Sequence, residues 1–217
     1  VETNTNAPQM TYREAINKSA EANTKFVRQS DSRDQYGHVV ISMNPSERGA
    51  GVTVENKITG GAIPKEYIKP IENGIREAAA SGVLAGYPMV DLHVDILDGS
   101  YHPVDSSEMA FKIAGSMAFK EAAKKAVITI LEPVMKVEVT TPDENLGDII
   151  GDISGRRGQV LEVDAESKSA RVMAQAPLAE LFGYATAIRS LSKGRASYTM
   201  EPSHFDKVPN EIQKQIL

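Results

Sequence analysis

A chain of 217 residues can form one large domain or two small ones. Its apolar fraction of 41% and charged fraction of 24% are those of a globular protein, and no stretch approaches the ~20 apolar residues that span a bilayer. The net charge of -5 excludes a general electrostatic nucleic-acid binder, so any RNA contact has to be local and shaped.

The acidity is spread along the chain: 14 basic and 16 acidic residues precede Glu132, and 10 and 13 follow from it onward. There is no cysteine, which removes disulfides and thiolate ligands and fits a reducing, cytoplasmic setting. The chain begins at Val1 without a basic segment and apolar core, and so reads as a piece of a longer protein rather than a signal peptide.

In chain order, the first dozen residues are polar, carry Pro8 and read as an incoming linker. Residues 12–22 have weak helical character. Strand-like segments follow at 25–29, 37–43 and 51–58, with Val39 and Ile41 alternating with Val40 and Ser42 in the second. Residues 44–49 are a turn. Pro64 opens a helix with an apolar stripe of Ile68, Ile71 and Ile75, and Gly82 stops it.

Residues 89–97 are the clearest strand, with Val90, Leu92, Val94 and Ile96 on one face and Asp91, His93 and Asp95 on the other. Ser106 or Ser107 then caps a long helix ending near Ala126. Its expected packing stripe is Met109, Ile113 and Met117, with Ala110, Ala114, Ala118 and Ala122 allowing close approach.

Leu131-Glu132-Pro133 marks a boundary. Beyond it come strand 135–139, helix 146–154, strands 159–163 and 170–176, helix 178–191 and strand 195–200. This is the βαββαβ order of a ferredoxin-like domain. Gly158 and Gly194 end its two helices, and a short helix after Pro209 closes the chain. The fold class is α+β in two domains, divided as 1–131, 132–203 and a terminal helix in 204–217.

Several chemistries fail on spacing. Gly60-Gly61 before Pro64 and Lys65 lacks the GxxxxGK[ST] pattern, and Gly49-Ala50-Gly51 is only a GxG, so turn chemistry outweighs nucleotide binding. Asp91, His93 and Asp95 have ligand chemistry, but read as the wet face of a half-buried sheet, and no metal is expected. Ser100, His102 and Asp105 are the residue types of a hydrolytic triad crowded into six residues of one turn, where a fold rarely orients them, so no catalytic residue is assigned.

Two polar loops bearing Tyr and His remain, 29–38 and 98–108. Rings and Arg can stack on unpaired bases there, and backbone amides can meet phosphates. Arg156, Arg157, Lys193 and Arg195 sit near helix ends, where they either complement helix dipoles or form a small RNA- or protein-facing patch; the sequence balances these readings.

The run Asp98-Gly99-Ser100-Tyr101-His102-Pro103-Val104-Asp105-Ser106-Ser107-Glu108 resembles the tip loop of domain IV in elongation factor G. Further motifs follow in family order: Gly60-Gly61, Glu66-Tyr67-Ile68, Gly82 to Pro88, Leu131 to Val137, Gly147 to Asp152, Arg156-Arg157-Gly158, Leu181 to Thr186 and Gly194 to Met200. The resemblance covers roughly residues 7 to 210.

It implies a ribosomal-protein-like βαβ domain IV, a ferredoxin-like domain V, and a last helix that packs back on the first domain. It also implies a monomeric, non-membrane part of a cytoplasmic ribosomal translocase. Domain IV would enter the decoding region with tRNA and mRNA, and domain V would face the sarcin–ricin loop and stalk base of the rRNA. GTP and Mg would belong to an N-terminal domain of the parent, with no cofactor in this chain; the ribosome recycling factor is a further implied partner.

Carried over by motif, the tip residues are Arg33, Gln35, Tyr36, Gly37, His38, Ser100, Tyr101 and His102, and the rRNA-facing ones are Arg156, Arg157, Lys193 and Arg195. The family usually reads Ser-Gly-Gly-Arg-Gly-Gln-Tyr-Gly where this chain has Asp31, Ser32 and Asp34 in place of three glycines, and Pro103 stands where Asp is common. Each added carboxylate opposes a nearby phosphate by about 1 kcal/mol before salt screening. A paralogue devoted to ribosome recycling or a stress role is therefore a second expectation, and a ferredoxin-like protein-interaction module a third.

Overall fold

Two strands joined by a bend, not the expected helix, occupy residues 13–22. β1 (Arg13–Ile16) pairs antiparallel with the start of β6 (Ile128–Pro142), from Arg13↔Leu131 to Ile16↔Ile128, and β2 (Ala20–Arg28) follows. Glu14, Ala15 and Ile16 are all buried, so no alternation marks the strand, and tertiary burial overrides the helical propensity of this short run. The computed structural model describes residues 11–217; most of the linker segment, with Pro8, lies outside the described residues.

The chain divides into two compact units, Tyr12–Leu131 with Val208–Leu217, and Glu132–Lys207. In the first, β2, β3 (Gln35–Pro45), β4 (Val52–Asn56) and β5 (Leu92–Ser100) form one sheet in the order β2-β3-β5-β4. β3 runs antiparallel to β2 and β5, while β4 and β5 are parallel. The crossover between β4 and β5 is α1 (Ile68–Ser81), entered through a 3-10 turn at Lys65–Tyr67 and stopped by Gly82 as expected. Val39, Ile41 and Met43 of β3 and Leu92, Val94 and Ile96 of β5 are buried under α1 and α2 (Glu108–Lys125).

The packed face of α2 keeps the four expected alanines but not the expected methionines. Ala110, Phe111, Ala114, Gly115, Ala118, Phe119, Ala122 and Ala123 are buried, while Met109 and Met117 are exposed. Small residues win because α1 and α2 approach closely: a Cβ on Gly115 would lie 2.7 Å from the Ile71 carbonyl oxygen. Gly115 and the alanines let the helices approach, while Phe111 and Phe119 fill the core beside them.

Strand β5 starts later than expected, since Asp91 has φ 60° and its carboxylate accepts from the amides of Gly49 and Gly51. It also runs on to Ser100, so Gly99 is in the strand. The outer face of β5 is not uniformly wet: Asp95 is buried, accepts from His93 at 2.8 Å and pairs with Lys57 at 3.3 Å. Burial pushes the Asp95 carboxyl up, but the His93 and Lys57 hydrogen bonds outweigh it and hold it below its ordinary value.

The second unit takes β6 from Glu132, α3 (Leu146–Gly155), β7 (Gln159–Ala165), β8 (Ser169–Pro177), α4 (Tyr184–Ser192) and β9 (Ser197–Lys207). Its strand order is β9-β6-β8-β7, and the element order is the expected βαββαβ. Val137, Val139, Val172 and Ala174 back onto Ile149, Ile153, Tyr184 and Ile188. The helix expected over 178–191 is broken into a 3-10 turn at Leu178–Glu180 and α4, with Gly183 left-handed at φ 67° between them.

The residues in left-handed conformation after α3 and α4 include Arg157 (φ 55°) and Lys193 (φ 54°). Gly158 is needed for space instead, because a Cβ there would meet the Ile153 carbonyl oxygen at 2.6 Å. The last helix, α5 (Asn210–Ile216), belongs to the first unit: Val208 donates to the Ile130 carbonyl, and Gln213 accepts from the Ile130 amide.

Candidate nucleic-acid interface

The end of the first unit's sheet is built where β2 gives way to β3 and where β5 runs into α2. His38 and Ser100 are register partners, so the two polar loops leave the sheet side by side. The Tyr36 and His102 rings stack with centroids 3.8 Å apart and planes 8° from parallel. His102 is exposed, and its Nδ1 lies 3.6 Å from the Asp105 carboxylate.

Behind the stack runs a chain of short hydrogen bonds. Tyr36 Oη and Ser100 Oγ are 2.6 Å apart, Ser100 Oγ and His38 Nδ1 2.7 Å, and His38 Nε2 and Asn23 Oδ1 2.6 Å. A neutral His38 protonated on Nε2 satisfies every link: it donates to Asn23, accepts from Ser100, and Ser100 accepts from Tyr36. Burial, helped by Lys25 and opposed by Asp98, holds the His38 imidazole below its ordinary value and favours that neutral form.

The backbone is locked as well. Tyr36 N–H donates to the Asp105 carbonyl at 3.0 Å; the Ser106 hydroxyl donates to the Tyr36 carbonyl at 2.9 Å and accepts from His102 N–H at 3.0 Å. Ser107 caps α2 by accepting from Ala110 N–H. Gly37 lets β3 pass the first turn of α2, since a Cβ there would lie 2.7 Å from the Ala110 carbonyl oxygen.

Of the eight tip residues, Tyr36, His38, Ser100 and His102 thus form one cluster. Gln35 opens β3 with its side-chain oxygen buried and unpartnered. Tyr101 is exposed beyond the end of β5, and Arg33 is exposed in the loop before β3. That loop is closed by Ser30, whose hydroxyl donates to the Arg33 carbonyl and whose N–H donates to the Asp34 carboxylate at 3.3 Å. Asp34 is therefore partly committed to its own turn. Sequence reasoning missed Asn23 and Ser106; Asn23 is recognisable only through the pairing of β2 with β3, and Ser106 looks in sequence like no more than a helix cap.

Ser100 Oγ is bound to Tyr36 and His38, so it does not join His102 and Asp105 in the grouping weighed from the sequence. On the β4–β5 edge, Glu55, His93 and Asp95 bring one ligand atom each within 4.8 Å of one another, while Asp91 serves the Gly49–Gly51 turn instead. The Lys57 ammonium already supplies a cation to Asp95.

In the second unit, the Arg157 fork holds Glu132 through Nη1 at 2.7 Å and Nη2 at 3.1 Å, and its Nε holds Glu180 at 3.0 Å. The Glu132 hydrogen bonds, partly offset by burial, raise the Arg157 guanidinium above its ordinary value. Arg156 binds Asp152 at 2.9 Å and the Glu180 carbonyl at 2.7 Å, and lies 5.0 Å over the Tyr184 ring. Burial, and next the Asp152 charge, push the Tyr184 hydroxyl up to about 12. Arg195 pairs with Glu144 and reaches Asn145, whereas Lys193 is exposed with no ion pair among the described residues. Arg156, Arg157 and Arg195 are thus all engaged within the unit.

The site is a display of two stacked rings on a hydrogen-bonded base, on a protein in two α/β units. Residues 8–127 match the family described as elongation factor G, domain IV, and residues 129–216 match that described as elongation factor G C-terminus. The chain belongs to the elongation factor G family, a family of translation factors. It is also similar to a crystal structure from Thermus thermophilus, at 40% identity and a TM-score of 0.88 over 97% of this chain. It spans 32% of that solved chain. No helix among the described residues is long and apolar enough to cross a membrane.

Proposed function

We propose that this chain is the tRNA- and mRNA-facing part of a cytoplasmic, GTP-driven ribosomal translocase. The observation that carries the reading is the stacked Tyr36–His102 pair, fixed on a hydrogen-bonded base at the end of the sheet. Such a wedge acts by occupying space and by ring and amide contacts with RNA, with no covalent chemistry. Arg33 and Tyr101 are the further contact groups, and Gln35 stands at the start of β3 beside them with its side-chain oxygen turned inward. GTP and Mg would act in another domain of the parent protein.

In this reading the second unit faces rRNA through Lys193, whose ammonium is the least committed of the four predicted basic groups. Arg156, Arg157 and Arg195 shape that surface from within. The recycling paralogue is the second reading, favoured by Asp31 and Asp34 in a loop directed at phosphates.

The test uses the parent protein in single-round translocation and in ribosome splitting with the recycling factor. A translocation rate near that of an ordinary family member supports the first reading. Splitting activity without translocation replaces it with the second. Recovery of translocation when Asp31, Ser32 and Asp34 are all changed to Gly assigns the difference to that loop.

A further inference from the structure

The two tip loops are separate in sequence, yet one buried hydroxyl joins them. Ser106 Oγ donates to the Tyr36 carbonyl at 2.9 Å and accepts from the His102 amide at 3.0 Å, and Ser106 N–H donates to the His102 carbonyl at 3.1 Å. Ser106 is only 6% exposed, although the loop around it is open to solvent. The two residues it ties are those whose rings stack. Ser107, the next residue, performs the ordinary N-cap duty for α2. Ser106 is thus released from capping, and its hydroxyl is spent wholly on the junction of the loops.

We propose that Ser106 is a positioning residue that makes the two loops one element and sets the Tyr36–His102 stack. Its consequence for translocation rests on the proposed function, but the positioning itself does not. Both of its tip bonds are to backbone, so it fixes where the two chains run rather than the rotation of either ring. The stack then follows from register: with Tyr36 N–H bound to the Asp105 carbonyl on the other side, the rings have little freedom to separate. Without the hydroxyl, the 101–105 loop keeps one fewer tether and His102 samples orientations away from Tyr36.

The chain has four histidines, so the His102 ring protons are separable by NMR in the 217-residue protein. Stacking on Tyr36 places them under the tyrosine ring current and shifts them upfield. Ser106→Ala is expected to lose that shift, whereas Ser107→Ala, which weakens α2 by removing its cap, is expected to keep it. Retention of the shift in Ser106→Ala overturns the proposal, and so does its equal loss in both variants.

If Ser106→Ala does not fold, amide exchange in the unchanged protein decides. His102 N–H protected within its exposed loop supports the tether, and exchange at the rate of a free loop overturns it. In the parent protein, Ser106→Ala should slow single-round translocation toward the rate of His102→Ala, with Ser107→Ala near the natural rate. Unstacked rings with unchanged translocation would remove the proposed function and leave the positioning role standing.

Discussion

Glu14 is the most heavily bonded side chain of the first unit and gives its sharpest stability test. It is fully buried, and its carboxylate accepts four backbone N–H bonds: from Val83 and Leu84 at 2.8 Å each on Oε1, and from Ala85 at 2.8 Å and Tyr87 at 3.0 Å on Oε2. One carboxylate thus folds the whole connection from α1 toward β5. Glu14→Gln keeps the shape but turns one oxygen into an NH2 that faces two of those donors. Two charge-assisted bonds are lost, at about 1.5–3 kcal/mol each, and two buried N–H groups are left without acceptors. The expected loss is about 3–6 kcal/mol, a large share of the ~5–15 kcal/mol that holds a domain together. Urea unfolding at neutral pH, followed by a probe in this unit, should show the midpoint fall by about 1–2 M with little change in slope. Amide exchange at Val83, Leu84, Ala85 and Tyr87 should accelerate most. A loss below about 1 kcal/mol, or unchanged protection at those four amides, would refute the argument.

The other consequences are spread over both units. Arg157→Ala should cost about 3 kcal/mol, because Glu132 is only 3% exposed and loses its bidentate partner; adding Glu132→Gln should restore part of it in a double-mutant cycle. Gly74→Ala should cost about 1–3 kcal/mol in thermal unfolding, because its Cβ would collide with the Lys112 carbonyl oxygen where α1 crosses α2. His38 has a folded value below its ordinary 6.5, so its contribution is complete above 6.5 and is lost as pH falls through the lower folded value. The natural protein should therefore lose more stability than His38→Asn between pH 7 and 5.5, and equal losses would contradict the hydrogen-bonded chain through Ser100 and Asn23.

Much of this architecture was legible because its signals are local. The alternation of Leu92, Val94 and Ile96, the Ser107 cap, the Gly82 stop and the βαββαβ order each depend on a few neighbouring residues. What failed depended on contacts distant in sequence. Arg13–Ile16 reads as helix until β6 is there to pair with it. The Met109–Met117 stripe looks like a core face until the glycine-mediated approach of α1 leaves the foreseen alanines, with Phe111 and Phe119, inside. At the site, the ring-bearing loops were visible as composition, but their joining depends on the His38↔Ser100 register and on a serine indistinguishable in sequence from a cap. The pairings of Arg157 with Glu132 and of Arg195 with Glu144 were invisible for the same reason.

The most direct measurement is the rate of single-round translocation by the parent protein with His102→Ala, beside its ribosome-stimulated GTP hydrolysis. The account predicts slowed movement of tRNA and mRNA with hydrolysis unchanged, because His102 belongs to the presented ring pair and to no nucleotide site. Equal loss of both rates, or full translocation without the imidazole, would contradict it.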